Sequence, residues 1–289
     1  MNNLSTRVPT LIGRWIAPIS SVRMPNIGMT LGAGIVIAWL LVALLTPWIA
    51  PYSPLAPSSA LYQAPTHAHL FGTDDLGRDV FSRVVWGARV TIPSAVLLVI
   101  IACFIGGVLG ALAGYLGGWV DEVVMRGADL FFSVPSILLA MTVVAALGPG
   151  IRNAVIALVV VTWPQYTRVV RGLVLTVMQS DYVAIVRLLG ASNMRALSRD
   201  VVPNVVGPVV VLAALQTGAA ILLLSGLSFL GLGATPPAAE WGEMIGEGAD
   251  HFAAWWIALF PGLAIVSIVL AFNLIGDGLR DSLDSKSHV

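Results

Sequence analysis

Charge is what this sequence has least of. Only 10% of its 289 residues are Asp, Glu, Lys or Arg, against roughly a quarter in an ordinary soluble domain, while 57% are hydrophobic and the mean hydropathy is +0.90. That excludes a water-soluble globular chain and predicts a polytopic membrane protein. The 15 basic and 15 acidic residues cancel, so no bulk attraction to nucleic acid is implied. The single cysteine, Cys103, excludes an internal disulfide. The four histidines, His67, His69, His251 and His288, all fall outside the apolar runs, and no Asp or Glu falls inside one. An intramembrane enzyme therefore lacks its nucleophile and base or its metal cluster. A proton- or sodium-coupled carrier lacks its usual midplane carboxylates.

What is present is a series of apolar runs. Charge-free stretches long enough to cross about 30 Å of hydrocarbon occur at Thr30–Ile49, Val90–Tyr115, Leu130–Leu147, Val205–Leu232 and Trp255–Ile275, and a shorter one covers Ala154–Tyr166. The expectation is an all-α fold with six transmembrane helices. With the N-terminus inside, only Arg78, Arg83, Arg89 and Arg152 lie outside and every other Lys or Arg is cytoplasmic. Both termini are thus expected in the cytoplasm. The predicted order is a tail (1–29), a first span (30–50), an external loop with a lead-in helix (51–89), a five-span core (90–277) containing a cytoplasmic loop (176–204), and a cytoplasmic C-terminus (278–289). The first apolar run is too long, and lacks the small-residue site, for a cleavable signal.

Two polar stretches stand out. The external one carries Gly72-Thr73-Asp74, Gly77-Arg78-Asp79 and Ser82-Arg83. Thr73 or Asp74 can cap a helix beginning near Asp75, and Arg78 and Arg83 lie within reach of Asp74, Asp75 and Asp79. This reads either as a self-paired, capped helix or as a contact for a docking protein or solute. His67, His69 and these aspartates match no metal-ligand spacing, so no metal is expected. The cytoplasmic stretch runs from Asp181 to Pro203. Ser180 or Asp181 can cap a short helix with Tyr182, Val183, Ile185, Val186 and Leu189 at helical spacing; Gly190 ends it, Ser192 caps a second, and Pro203 blocks continuation. An apolar face held at the membrane surface in this way calls for a partner protein.

Within the spans, Gly106, Gly110 and Gly114 form a small-residue face for close helix packing, with the neighbour left open. Asp129 can pair with Arg126 at i, i+3. Gln216, Thr217, Ser225 and Ser228, with Asn273 on the last span, are the candidates for a polar lining, against the alternative of bonding to their own helices. The loop from Thr235 to Phe252, with Glu240, Glu243, Glu247, Asp250 and His251, reads as a solvated acidic face, against the alternative that its negative charge meets a basic partner.

The cytoplasmic stretch resembles the coupling loop of permease subunits of binding-protein-dependent ABC importers, through Gly190, Ala191-Ser192 and Pro203-Asn204. Ala184, Ile185 and Val186 stand where that family has Glu-Ala-Ala. The external motif, the run Ser228-Phe229-Leu230-Gly231-Leu232-Gly233 with Pro236-Pro237 and Glu240-Trp241-Gly242, and the ending FNLIGDGLRDSLD resemble the dipeptide, oligopeptide, nickel and glutathione branch, in particular the C-type subunit of the dipeptide and oligopeptide systems. The resemblance runs from about Leu70 to Asp284. It implies a type I ABC importer permease fold in a bacterial inner membrane, importing peptides, with nickel or glutathione as alternatives. It also implies a second homologous permease, two ATP-binding subunits and an extracytoplasmic binding protein. Asp181, Tyr182, Ala184, Arg187, Gly190, Ala191, Ser192 and Arg195 would face the ATPase. No Gly-Lys-Ser/Thr phosphate loop occurs, so ATP and Mg belong to the partner subunits, and neither a cofactor nor a catalytic residue is expected here.

Overall fold

The computed structural model describes residues 27–180 and 202–284, and among these it is helical with no strand. The helices are α1 (Ile27–Ile49), α2 (Val80–Leu116), α3 (Gly118–Phe132), α4 (Ser136–Leu147), α5 (Ile151–Met178), α6 (Val202–Phe229), α7 (Trp241–Ala249) and α8 (Trp256–Asp284), with a 3₁₀ turn at Phe252–Ala254. Helices α1, α2, α6 and α8 are long and apolar enough to cross a membrane. Counting α3 and α4 as one broken span makes five.

That break corrects the expectation of a single run from Leu130 to Leu147. Pro135 has no N–H to donate and crowds the turn before it, so α3 ends at Phe132 and α4 restarts at Ser136, bent by 90° from α3. The expected shorter run after it also grows. Helix α5 has 28 residues and continues past Tyr166 through Arg168 and Arg171.

Helix α2 is the axis of the bundle, packed along α5 and against α6. Its glycine face explains the closeness. A Cβ at Gly110 would lie 2.5 Å from the Thr167 carbonyl oxygen, and one at Gly114 would lie 3.0 Å from that of Arg171. Gly106 meets Trp163 and Tyr166 in the same way, so the neighbour left open by the sequence is α5 of the same chain. Helix α1 is peripheral and leans on α8, where Trp39 Nε1 donates to Ser267 Oγ at 2.8 Å. Its outer face shows Ile37, Leu40 and Leu44, as a surface meeting lipid or an apolar partner does.

Candidate functional site: a buried ion network at one end of the bundle

The segments between α1 and α2 and between α6 and α8 meet at the same end of the bundle. There the first segment is irregular but tightly tied. Gly72 (φ +76°) and Gly77 (φ +71°) take left-handed turns that a side chain would strain. Thr73 accepts from Gln63 N at 2.8 Å, and its carbonyl accepts from Trp256 Nε1 on α8 at 3.0 Å. Helix α2 begins at Val80, later than the expected start near Asp75, and its cap is Asp79 rather than Thr73 or Asp74. The Asp79 carboxylate accepts from Ser82 N at 2.8 Å and Ser82 Oγ at 2.7 Å, while its other oxygen meets His69 Nδ1 at 3.0 Å.

Freed from capping, Asp74 turns inward. One oxygen accepts from the backbone N–H groups of Leu76 (3.0 Å) and Arg78 (2.8 Å), and the other takes Arg78 Nε at 2.6 Å and Arg83 Nη1. Arg78 Nη2 reaches Asp75 at 3.0 Å and Glu247 at 3.1 Å. Arg83 Nη1 also donates to Glu247 at 3.0 Å and its Nη2 to Glu243 at 2.9 Å. Arg83 and Asp74 are 0% exposed and Arg78 is 3% exposed. The loop read as a solvated acidic face is therefore corrected for three of its glutamates. Glu240 caps α7 by accepting from Glu243 N and takes the Thr91 hydroxyl of α2 at 2.9 Å, while Trp241 donates its indole N–H to Val84 O at 2.9 Å. Asp250 does not join them.

Two guanidiniums face four carboxylates, those of Asp74, Asp75, Glu243 and Glu247, and burial makes the excess costly. Burial drives the Glu247 carboxyl up to about 7; the charge of Arg83 opposes the rise, and the hydrogen bond with Asp75 adds to it. Glu243 is raised for the same first reason, with Arg83 and Arg78 opposing. Burial also works to raise Asp75, but its hydrogen bond with Glu247 and the charge of Arg78 outweigh that and hold it low. A proton on Glu247, shared toward Asp75, thus relieves part of the excess at neutral pH. Oxygens of Asp74, Asp75 and Glu247 lie within 4.8 Å of one another, a spacing that could suit a cation. Each already accepts from a guanidinium, so Arg78 and Arg83 fill that role.

Residues 106–289 match the family described as the binding-protein-dependent transport system inner membrane component. This chain belongs to that family. The inner membrane component described here is 42% identical over 257 residues to the probable D,D-dipeptide transport system permease protein DdpC of Escherichia coli K12, covering 88% of this chain and 86% of that one. It is 39% identical over 280 residues to the dipeptide transport system permease protein DppC of Alkalihalophilus pseudofirmus, covering 96% and 91%. It is 45% identical over 267 residues to the glutathione transport system permease protein GsiD of Escherichia coli O157:H7, covering 91% and 88%.

The other expected site residues of this inner membrane component are placed less uniformly. Asp181, Tyr182, Ala184, Arg187, Gly190, Ala191, Ser192 and Arg195 lie outside the described residues. The five candidates for a polar lining do not converge. Thr217 bonds back to Ala213 O at 2.8 Å within α6, Ser228 accepts from Ala234 N at 3.3 Å in the turn after α6, and Ser225 is buried. Asn273 sits on α8 against Gly218. Gln216 opens onto a cavity with Thr162, Gln165 and Tyr166, and Ser228 onto a separate one beside Asp75, Arg78, Glu243 and Glu247. Asp129 pairs with Arg168 of α5 at 2.7 Å, and Arg126 with Glu122, in place of the expected Asp129–Arg126 contact. A further cross-helix pair, Asp121 with Arg171, ties α3 to α5.

Proposed function

We propose that this chain is a transmembrane permease subunit of an ATP-driven importer that moves di- or oligopeptides delivered by an extracytoplasmic binding protein. The observation that carries the reading is near full-length similarity to permeases named for dipeptide and for glutathione, solutes that share peptide bonds. Six crossings follow if the bent α3–α4 pair and the long α5 each count as one. The arginine asymmetry then puts both termini in the cytoplasm and the ion network outside.

The partners are a second homologous permease, two ATP-binding subunits carrying ATP and Mg, and the binding protein. The segment 176–204, with Asp181 to Arg195 at its centre, is the contact for an ATPase subunit. Hydrolysis can bias the path between inward- and outward-open states only if that contact differs between them. The ion network braces the outer end against such movement. It joins the lead-in segment to α7, so the α1–α2 and α6–α8 connections move as one piece.

The test is reconstitution. Vesicles holding this chain with its partner permease, ATPase subunits and binding protein should take up labelled dipeptide only with ATP inside the compartment that holds the ATPases, and collapse of ion gradients should leave uptake in place. Gradient-driven uptake by this chain alone would overturn the reading in favour of a secondary carrier, and uptake of nickel without peptide would overturn the solute.

A further inference from the structure

Gln165 lies midway along α5 and Gln216 midway along α6, each about 20 Å from either helix end. Together with Thr162 and Tyr166 they line a cavity of about 80 Å³ between α2, α5 and α6, closed on the α2 side by Leu98 and Val99. Thr162 bonds back to Leu158 O. The two amides and the Tyr166 hydroxyl are different, because they have no hydrogen-bond partner among the described residues. Tyr166 is 1% exposed and lines the cavity from inside the bundle. Gln165 is exposed on the outer surface of the chain.

At the same level of the other long helices the exposed residues are Ile37 and Leu40 on α1, Leu97 and Ile100 on α2, and Leu270 on α8. Those faces suit lipid. A primary amide in hydrocarbon leaves two donors and an acceptor unmet, so the flank carrying Gln165 faces a polar space. The cavity holds two or three waters by volume and is too small to enclose a peptide. It works as one wall of a path.

We propose that Gln165, Tyr166 and Gln216 form a mid-membrane contact for the peptide groups of the passing solute. The claim rests on the peptide-import reading above. An amide side chain donates and accepts at once, as a peptide bond does, and pairs with it irrespective of the solute's side chains. The set contains no imidazole or thiolate, the ligands that suit nickel, and no charge that would select one kind of side chain.

The experiment uses the complete transporter in vesicles, with Cys103→Ala as background. Single cysteines at Gln165 and Gln216 should react with a water-soluble thiol reagent, a cysteine at Leu97 should not, and dipeptide with binding protein and ATP should slow the first two. In the parent chain, Gln165→Leu with Gln216→Leu should lower peptide moved per ATP hydrolysed about tenfold, the effect of losing one to two net hydrogen bonds. Tyr166→Phe, which keeps the ring's packing, should lower it several-fold. A structural role would instead lower hydrolysis and uptake together. Unreactive cysteines at Gln165 and Gln216, or an unchanged ratio in the double variant, overturns the proposal. If the double variant is poorly inserted, the protection of the two cysteines by dipeptide decides. A parent transporter that moves no peptide while both cysteines react would refute the solute and keep the path wall.

Discussion

Replacing Arg83 with Leu tests the ion network most directly. The guanidinium donates to Asp74, Glu243 and Glu247, whose side chains are 0%, 9% and 12% exposed, and is itself fully buried. Three charged hydrogen bonds at about 1.5–3 kcal/mol each would sum to more than the observable loss, because the stranded carboxylates can take up protons. The expected cost is therefore that of breaking a buried pair from one side, about 3–5 kcal/mol. In a chain of this size that lowers the melting temperature by on the order of 10 °C, read by tryptophan fluorescence of the purified chain in detergent. The loss should be largest near pH 8 and should shrink toward pH 5, where protons neutralise the carboxylates that lost their cation. Arg83→Lys keeps the charge but cannot span three acceptors, and should recover part of the loss. An Arg83→Leu variant that melts with the parent chain, or whose deficit grows on acidification, would refute the reasoning.

Glu247 offers the complementary test. Its folded carboxyl is held up to about 7 against an ordinary 4.5, so the folded chain binds a proton that the unfolded chain does not, and this contribution to stability falls as pH rises from about 4.5 to 7. Glu247→Gln should flatten that part of the stability profile and cost nothing at pH 8; a variant with the parent's slope and lower stability throughout would contradict it. Gly110→Val should fail differently, since its side chain would meet the Thr167 carbonyl and Val170, forcing α2 and α5 apart. A loss of about 3 kcal/mol or more, seen as poor recovery of folded chain from membranes, is expected, whereas Gly107→Val, where an added Cβ meets nothing within 4 Å, should be tolerated. Equal recovery of the two would show that the glycine face is not a packing face.

The features legible in the sequence were those with a local or periodic cause. Hydropathy marked the long helices, and the four-residue glycine spacing marked a packing face. Asp74, Asp75, Arg78 and Arg83 are close enough along the chain for their spacing alone to pair them. What escaped was set by long-range geometry. Glu243 and Glu247 looked like ordinary acidic loop residues, since nothing in their neighbourhood announces that α7 folds under the lead-in segment. Asp79 and Thr73 are both competent caps; the left-handed turns at Gly72 and Gly77 decide between them by turning Asp74 inward. The break at Ser133–Pro135 was visible as a proline, but hydropathy averaged across it. Gln165 was hidden by its apolar neighbours, and the signal that could have found it was its amide midway along α5, matched by that of Gln216 midway along α6.

The ion network also sets an order of events in making the protein. Arg83 and Glu247 are 164 residues apart. At about 5–20 residues per second, roughly ten to thirty seconds separate the appearance of the arginine from that of its distant partner. During that interval Arg83 has only Asp74, nine residues before it, as a strong acceptor, and Arg78 has Asp74 and Asp75. Asp74 and Asp75 are therefore the counter-ions of the nascent chain, and the glutamates of α7 join them only when the last helix pair is being inserted. A chain stopped before α7 holds Arg78 and Arg83 balanced by Asp74 and Asp75 alone, and the surplus carboxylates, with the raised Glu247 carboxyl among them, arrive only with α7.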